Sequence, residues 1–248
     1  MDLLTVIPDL GNWRFEYKYR LTPFQYHQVK AAIRPYMRVD PYTRRAPKRR
    51  YLVRSLYFDT TDFHAYQEKV NGDCDRTKLR IRTYSASRDE TASVRVELKA
   101  RKGIAMEKHN TFVDMQDYEY FIHNNHWPVN DDPVLCEFER YVHLKTLFPQ
   151  VIVEYQREGF SARLEDSLRI TFDHSVRSTA AETLFPTAPV FRNHNRHVII
   201  LEIKCNKSQP AWLRNMVREH GLRIAANSKF AQAVEISRPE LIRPVWSA

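Results

Sequence analysis

Glycine is sparse in this chain: five residues in 248, at Gly11, Gly72, Gly103, Gly159 and Gly221. They lie so far apart that neither a glycine-rich phosphate loop nor a dinucleotide-binding fingerprint can form, because both need clustered glycines. Bound phosphate must therefore be held by side chains. Cysteine is scarcer still, with Cys74, Cys136 and Cys205 forming an odd set without close spacing. That excludes a disulfide scaffold and a cysteine-based zinc site, and it fits a reduced compartment. The ten histidines include no His-x-x-x-His pair, so zinc is not expected, and His64, His174, His194 and His197 are read as surface residues. No apolar run approaches the length of a membrane span, and the first ten residues carry Asp2 and Asp9 without a cationic start. Neither a membrane segment nor a signal peptide is expected, and the reading is cytoplasmic. Repeats and low-complexity linkers are also lacking, which favours a single domain over 1–248.

Apolar residues and charge are plentiful. Hydrophobic residues make up 43% of the chain and aromatics 12%, enough for a full core. Lys and Arg number 39 against 30 Asp and Glu, a formal charge of +9 that calls for an anionic partner. Nucleic acid is not the expected partner. The cations alternate along strand-like segments instead of clustering on a recognition helix, and no RNP, zinc-finger or helix-turn-helix string occurs. The densest charge run, Pro41 to Arg50 with Arg44, Arg45, Lys48, Arg49 and Arg50, reads as a solvated basic loop.

Period-two alternation predicts about eight strands: Trp13 to Leu21, Tyr51 to Phe58, Lys78 to Tyr84, Ser93 to Arg101, Glu107 to Val113, Val151 to Arg157, Leu168 to Asp173 and His197 to Cys205. Helices are expected after Thr22-Pro23 and Asp132-Pro133, where a capping residue precedes proline. Two more are expected from Gln209-Pro210 to Gly221 and from Ser228 through Val234, with a weaker one at Asp117 to Asn125. Many antiparallel strands with helices outside indicate an α+β fold around a sheet or closed barrel.

A half-buried strand ordinarily turns its charges to water, so alternation alone carries no function. Here the same arrangement repeats on strand after strand. Arg14, Glu16 and Lys18 oppose Phe15, Tyr17 and Tyr19; Lys78, Arg80 and Arg82 oppose Leu79 and Ile81; Arg95, Glu97, Lys99 and Arg101 oppose Val94, Val96 and Leu98; Glu202 and Lys204 oppose Leu201 and Ile203. With helices against the apolar faces, the charged faces converge on a basic, wet lumen with acidic spots. Crowded cations need a polyanionic counter-charge, and a row of phosphoryl groups suits forked guanidinium and compact ammonium donors alike. The carboxylates either pair with neighbouring cations or hold a hard divalent ion, Mg²⁺ or Mn²⁺.

Seven strings occur together in one order: Arg14-Phe-Glu-Tyr-Lys-Tyr-Arg20, Ser55-Leu-Tyr-Phe-Asp-Thr60, Lys78-Leu-Arg-Ile-Arg-Thr-Tyr84, Val96-Glu-Leu-Lys99, Leu168-Arg-Ile-Thr-Phe-Asp173, Leu201-Glu-Ile-Lys204 and Ser228-Lys-Phe230. The chain resembles the vacuolar transporter chaperone (VTC) domain of the triphosphate tunnel metalloenzymes, over about residues 12 to 236. The resemblance implies an eight-stranded antiparallel β-barrel tunnel with helices packed outside. It also implies polyphosphate polymerase activity, in which the terminal phosphoryl group of ATP passes to a growing polyphosphate chain with Mn²⁺ or Mg²⁺. By the same resemblance Lys18, Arg80, Arg82, Lys99, Arg157 and Arg169 grip phosphates, with Lys78, Lys108 and Tyr155 as further contacts. Ser228 and Lys229 match a Ser-Lys pair at a helix start, and Glu202 matches the metal-binding glutamate. Glu16 and Glu97 are read as ion-pairing with tunnel cations. Two alternatives stay open: water as phosphoryl acceptor, giving a triphosphatase or polyphosphatase, or a non-catalytic module that binds polyphosphate or inositol polyphosphate.

Overall fold

A computed structural model describes residues 15–89, 92–102, 105–129, 131–164, 168–206 and 208–241. Arg14 and Trp13, expected on the first strand, lie outside them. Among the described residues there are ten strands and seven α-helices. The strands are β1 (Phe15–Leu21), β2 (Met37–Val39), β3 (Tyr51–Asp59), β4 (Arg76–Thr83), β5 (Val94–Lys102), β6 (Ala105–Val113), β7 (Phe148–Ala162), β8 (Arg169–Ala180), β9 (Arg192–Asn193) and β10 (Ile199–Cys205). The helices are α1 (Pro23–Ile33), α2 (Pro41–Arg45), α3 (His64–Asn71), α4 (Met115–Asn124), α5 (Pro133–Leu144), α6 (Ala211–Glu219) and α7 (Lys229–Ser237).

Eight strands form one antiparallel sheet in the order β1-β10-β8-β7-β3-β4-β5-β6, with β2 paired to β7 and β9 to β8. All eight strands expected from alternation are present. β7 is longer than its pattern showed and bulges between Glu154 and Gln156, which blurs the alternation there. The sheet curls into an open half-barrel whose two ends come within side-chain reach: β5 and β1 stand six places apart in the strand order, yet Lys99 Nζ lies 3.9 Å from a Glu16 carboxylate oxygen. The free edge of β1 is taken by the chain leading into α7, through an Ile224 bridge to Tyr19 and an Ala225 N–H that donates to Lys18 O at 2.9 Å.

The convex face is apolar and carries helices on two sides. Leu56, Ile81, Val96 and Leu98 pack against Tyr118 and Phe121 of α4 and Phe138 of α5. Tyr19, Phe172, Leu201 and Ile203 pack against Tyr26, Val29 and Ile33 of α1 and Leu213 of α6. Each such side chain, fully buried, contributes about 1.5–3 kcal/mol. The proline-started helices are capped as expected: Thr22 and Gln25 form a reciprocal capping box on α1, and Asp132 accepts from two N–H groups of α5.

Helix α7 departs from the outer layer. Phe230, Ala233 and Val234 cover Val53, Tyr57, Val153, Tyr155 and Val176, side chains on the inner face of the curl. It fills one end of the lumen. Two further corrections concern outer elements. The basic run from Pro41 is not a loop: Asp40 caps α2, and a 3-10 turn over Pro47–Arg49 follows. His174 is not a surface residue either. It is buried on the outer face, its ring edge-on to Tyr26 at 4.9 Å and its Nε2 3.4 Å from Glu158, because α1 closes over it.

Candidate functional site

Register places the charged alternation on one face. Residues directly paired across an antiparallel ladder point to the same side, and the pairs Lys18 with Glu202, Arg157 with Asp173, Ser55 with Arg82, Tyr57 with Arg80, Arg80 with Glu97, and Lys99 with Lys108 run round the inside of the curl. Two walls face each other there.

On the β3 to β6 wall, Glu97 is the hub. It is 1% exposed and takes contacts from Arg80, from Lys108 Nζ at 2.8 Å and from Arg82 and Arg95 at 3.7 Å each. Burial pushes its carboxyl upward, but Arg80, Arg82 and Lys108 outweigh burial and hold it well below the usual carboxylate range. Arg80 also donates to Tyr57 Oη at 3.0 Å, and Arg82 Nε to Ser55 Oγ at 3.0 Å. Both guanidiniums are thereby fixed in orientation. Lys78 differs from them. Its ammonium lies 4.9 Å from the Phe230 ring with no carboxylate within ion-pair distance among the described residues, and burial among Arg76, Lys69, Lys99 and Lys18 lowers its pKa to about 7. Burial likewise pushes Lys108 down to about 8 despite Glu97.

On the opposite wall Arg157 grips Asp173 with both arms, at 2.6 and 2.8 Å, and lies 3.5 Å from Glu202. Lys229 reaches Asp173 at 2.6 Å, and both cations stack on the Tyr155 ring at 5.1 and 4.8 Å. Tyr155 therefore braces two cations as well as packing against α7. Lys204 lies 2.7 Å from Glu202, and Lys18 lies 2.8 Å from Glu16 while donating to Asn227 O at 3.3 Å. Burial raises Glu202 and Glu16, yet the surrounding cations hold both below their ordinary values. Ser228 is spent on capping α7, its Oγ accepting from Ala231 N at 3.3 Å.

The structure thus brings Lys18, Lys78, Arg80, Arg82, Lys99, Lys108, Tyr155, Arg157, Glu202 and Lys229 into one lumen, with Ser228 at its wall. Arg169 stands apart from this centre. It lies at the end away from α7, half exposed, donating to Asp40 at 3.1 Å and Tyr51 Oη at 3.3 Å. Gly159 makes room for that contact, since a Cβ there would fall 1.9 Å from Asp40 Oδ2.

Sequence reasoning missed Asp173, Tyr57, Ser55 and Asn110. Asp173 ended a recognised string but carried no sign that two cations converge on it, and Tyr57 and Ser55 sit in a mostly apolar strand whose one cation, Arg54, is on the other face. Asn110, which accepts from Arg95 Nε at 2.8 Å, follows from register alone.

For a divalent metal, Glu16 and Glu202 supply hard, ionised oxygen donors on adjacent strands, near enough that the Glu202 charge pushes the Glu16 pKa upward. That donor set fits Mg²⁺ or Mn²⁺ completed by phosphate oxygens and water. No group of three or more His, Cys, Asp or Glu side chains poised for a metal occurs among the described residues. No described helix is long and apolar enough to cross a membrane.

Comparison with solved structures shows the fold. A Bacillus halodurans protein provisionally assigned to the adenylate cyclases matches with a TM-score of 0.54 at 13% identity, covering 95% of this chain and 100% of its own. The PH1819 protein of Pyrococcus horikoshii OT3 matches at 0.46 and 14%, covering 90% and 99%. The Mimivirus capping enzyme triphosphatase matches at 0.32 and 8%, covering 84% and 88%. No curated protein sequence matches. The VTC domain model matches residues 13–238, so that the curled sheet, its inward cations and nearly the full length of the sequence agree: the chain belongs to the VTC domain family.

Proposed function

We propose that this chain is a metal-dependent polyphosphate polymerase acting as one domain in the cytoplasm, with ATP and polyphosphate as its substrates. The observation that carries the reading is the lumen itself. Arg80, Arg82, Lys99, Lys108, Arg157, Lys18 and Lys229 converge where the only carboxylates of the described lumen, Glu16, Glu97, Asp173 and Glu202, leave them an excess of positive charge.

Phosphoryl transfer asks for in-line placement of attacking and leaving oxygens and for positive charge around the equatorial oxygens. Arg80 and Arg82 present guanidiniums already fixed by Tyr57, Ser55 and Glu97, so little reorganisation is needed when charge develops. Arg157 and Lys229 approach from the other wall, and Lys99 and Lys108 extend the cradle along it. Arg169 would meet the chain at the open end. Glu202, with Glu16, would hold the Mg²⁺ or Mn²⁺, which supplies Lewis-acid stabilisation of phosphate oxygens.

Cations hold Glu16, Glu97, Asp173 and Glu202 below their ordinary pKa values, which makes each a weak proton acceptor. A chain-end phosphate is ionised at neutral pH and needs no such base, so the polymerase reading does not call on these carboxylates for proton transfer.

Purified protein with ATP and Mn²⁺ should make acid-precipitable chains resolved by size, and Arg80→Gln with Arg82→Gln should cut synthesis by about 100-fold or more. Undiminished synthesis in that double variant would refute the site. Free phosphate without chain growth would identify a hydrolase, and tight tripolyphosphate binding without turnover in any metal would identify a binding module.

A further inference from the structure

Behind the segment that leads into α7 lies a cavity of about 100 Å³, lined by Arg20, His194, Asn195, Asn227 and Gln232 on its polar side and by Val176, Val198 and Ile200 on its apolar side. It is roomier than a single water needs. Asn227 is 7% exposed, and neither its Nδ2 nor its Oδ1 has a hydrogen-bond partner among the described residues. A buried amide with both ends unmet marks a place where something else completes the bonding.

The remaining polar groups show what that partner must offer. His194 Nδ1 lies 3.2 Å from Gln232 Oε1 and its Nε2 lies 3.0 Å from Ser178 Oγ. Burial lowers the His194 pKa to about 4, so the ring is neutral: Nδ1–H donates to Gln232, and Nε2 accepts from the serine hydroxyl. With its oxygen engaged, Gln232 has its Nε2 donor to spare. Asn195 Oδ1 accepts from His197 N at 3.1 Å, which leaves its Nδ2 as donor. Arg20 has no carboxylate within 4.0 Å among the described residues, and no carboxylate lines the cavity. Donors therefore dominate, with a single cation and one unmet acceptor, Asn227 Oδ1.

We propose that this cavity binds one phosphate group that keeps a P–O–H: orthophosphate as its hydrogen phosphate ion, or the terminal phosphoryl of a chain. Arg20, Asn195 Nδ2, Asn227 Nδ2 and Gln232 Nε2 donate to the anionic oxygens, and Asn227 Oδ1 accepts the P–O–H proton. Sulfate, fully ionised at neutral pH, cannot make that last bond. The site adjoins the α7 end of the lumen, where Lys18 donates to Asn227 O at 3.3 Å, but it uses none of the Arg80, Arg82 wall and does not depend on the polymerase reading.

Calorimetric titration of the full chain with orthophosphate at pH 7, with and without excess tripolyphosphate, tests the proposal. Beside any lumen binding, which the Arg80→Gln, Arg82→Gln double variant weakens, one site should appear that this double variant leaves unchanged and that is at least tenfold weaker in Asn227→Leu, in Gln232→Leu and for sulfate. Persistence under tripolyphosphate assigns the free ion; displacement by tripolyphosphate with the same Asn227 and Gln232 dependence assigns a chain end. Absence of orthophosphate binding overturns the proposal. So does equal binding in the two cavity variants, or loss confined to the Arg80 and Arg82 variant. Gln232 is partly exposed on α7, so its variant keeps the test decisive if Asn227→Leu fails to fold.

Discussion

Among the lumen cations Lys78 is set apart by having an aromatic ring for a neighbour where others have a carboxylate. Its pKa of about 7, depressed first by burial and then by Arg76, Lys69, Lys99 and Lys18, lies below that of a lysine in the unfolded chain. The unfolded state thus binds more protons between pH 7 and about 10, and Lys78 makes the free protein more stable as pH rises through that window. A polyanion reverses the preference by favouring the charged amine. Tripolyphosphate binding at pH 7.5 should draw in protons, seen as a dependence of calorimetric heat on buffer ionisation enthalpy, and Lys78→Met should reduce that uptake. Equal uptake in both proteins would contradict this assignment. Glu97 acts in the opposite sense. Its depressed pKa contributes stability that is present above the ordinary glutamate value and lost as pH falls below it. Glu97→Gln should cost about 3 kcal/mol or more in urea unfolding, because Arg80, Arg82, Arg95 and Lys108 lose their buried counter-charge. Tripolyphosphate should restore much of that loss.

At the scale of elements, the eight strands of the main sheet declared themselves through period-two alternation, whereas the short β2 and β9 did not, and α1, α5 and α7 declared themselves through capping residues. Helices α2 and α3 did not. α2 is only five residues long, and α3 begins after Phe63 in the left-handed region at φ 59, with no side-chain cap; its start is held instead by buried Asp59, which accepts from Ala65 and Tyr66 N–H groups at 2.8 and 3.1 Å. Nothing in the local pattern announces a carboxylate arriving from the end of β3. The junction of β7 with α2 depends on Gly159 in a similarly non-local way. Gly159→Ala should push Asp40 off Arg169 and lower stability by about 1–3 kcal/mol, read from the thermal midpoint. A fully stable Gly159→Ala variant would mean that Asp40 moves freely.

For the whole molecule, concentrating like charge in one enclosure makes the empty protein a strained conductor of field lines and the occupied one a relaxed ion pair. Ligand at a hundredfold excess over its dissociation constant should stabilise the fold by about 2.7 kcal/mol. Tripolyphosphate should therefore raise the melting temperature, with an affinity that falls steeply between low and physiological salt. A salt-independent affinity would place binding outside the cationic lumen.

The sequence by itself determined that cations and apolar side chains would occupy opposite faces of successive strands, since a strand's two-residue period leaves no other arrangement. It also determined that phosphate would meet side chains and not a glycine-rich loop. Only the tertiary structure decided that the charged face is concave, that α7 enters the lumen, and that Asp173 and Glu97 anchor opposite walls. Those outcomes depend on pairing partners far apart in the chain, and on which face the helices cover, and neither is written into the local pattern of any one segment.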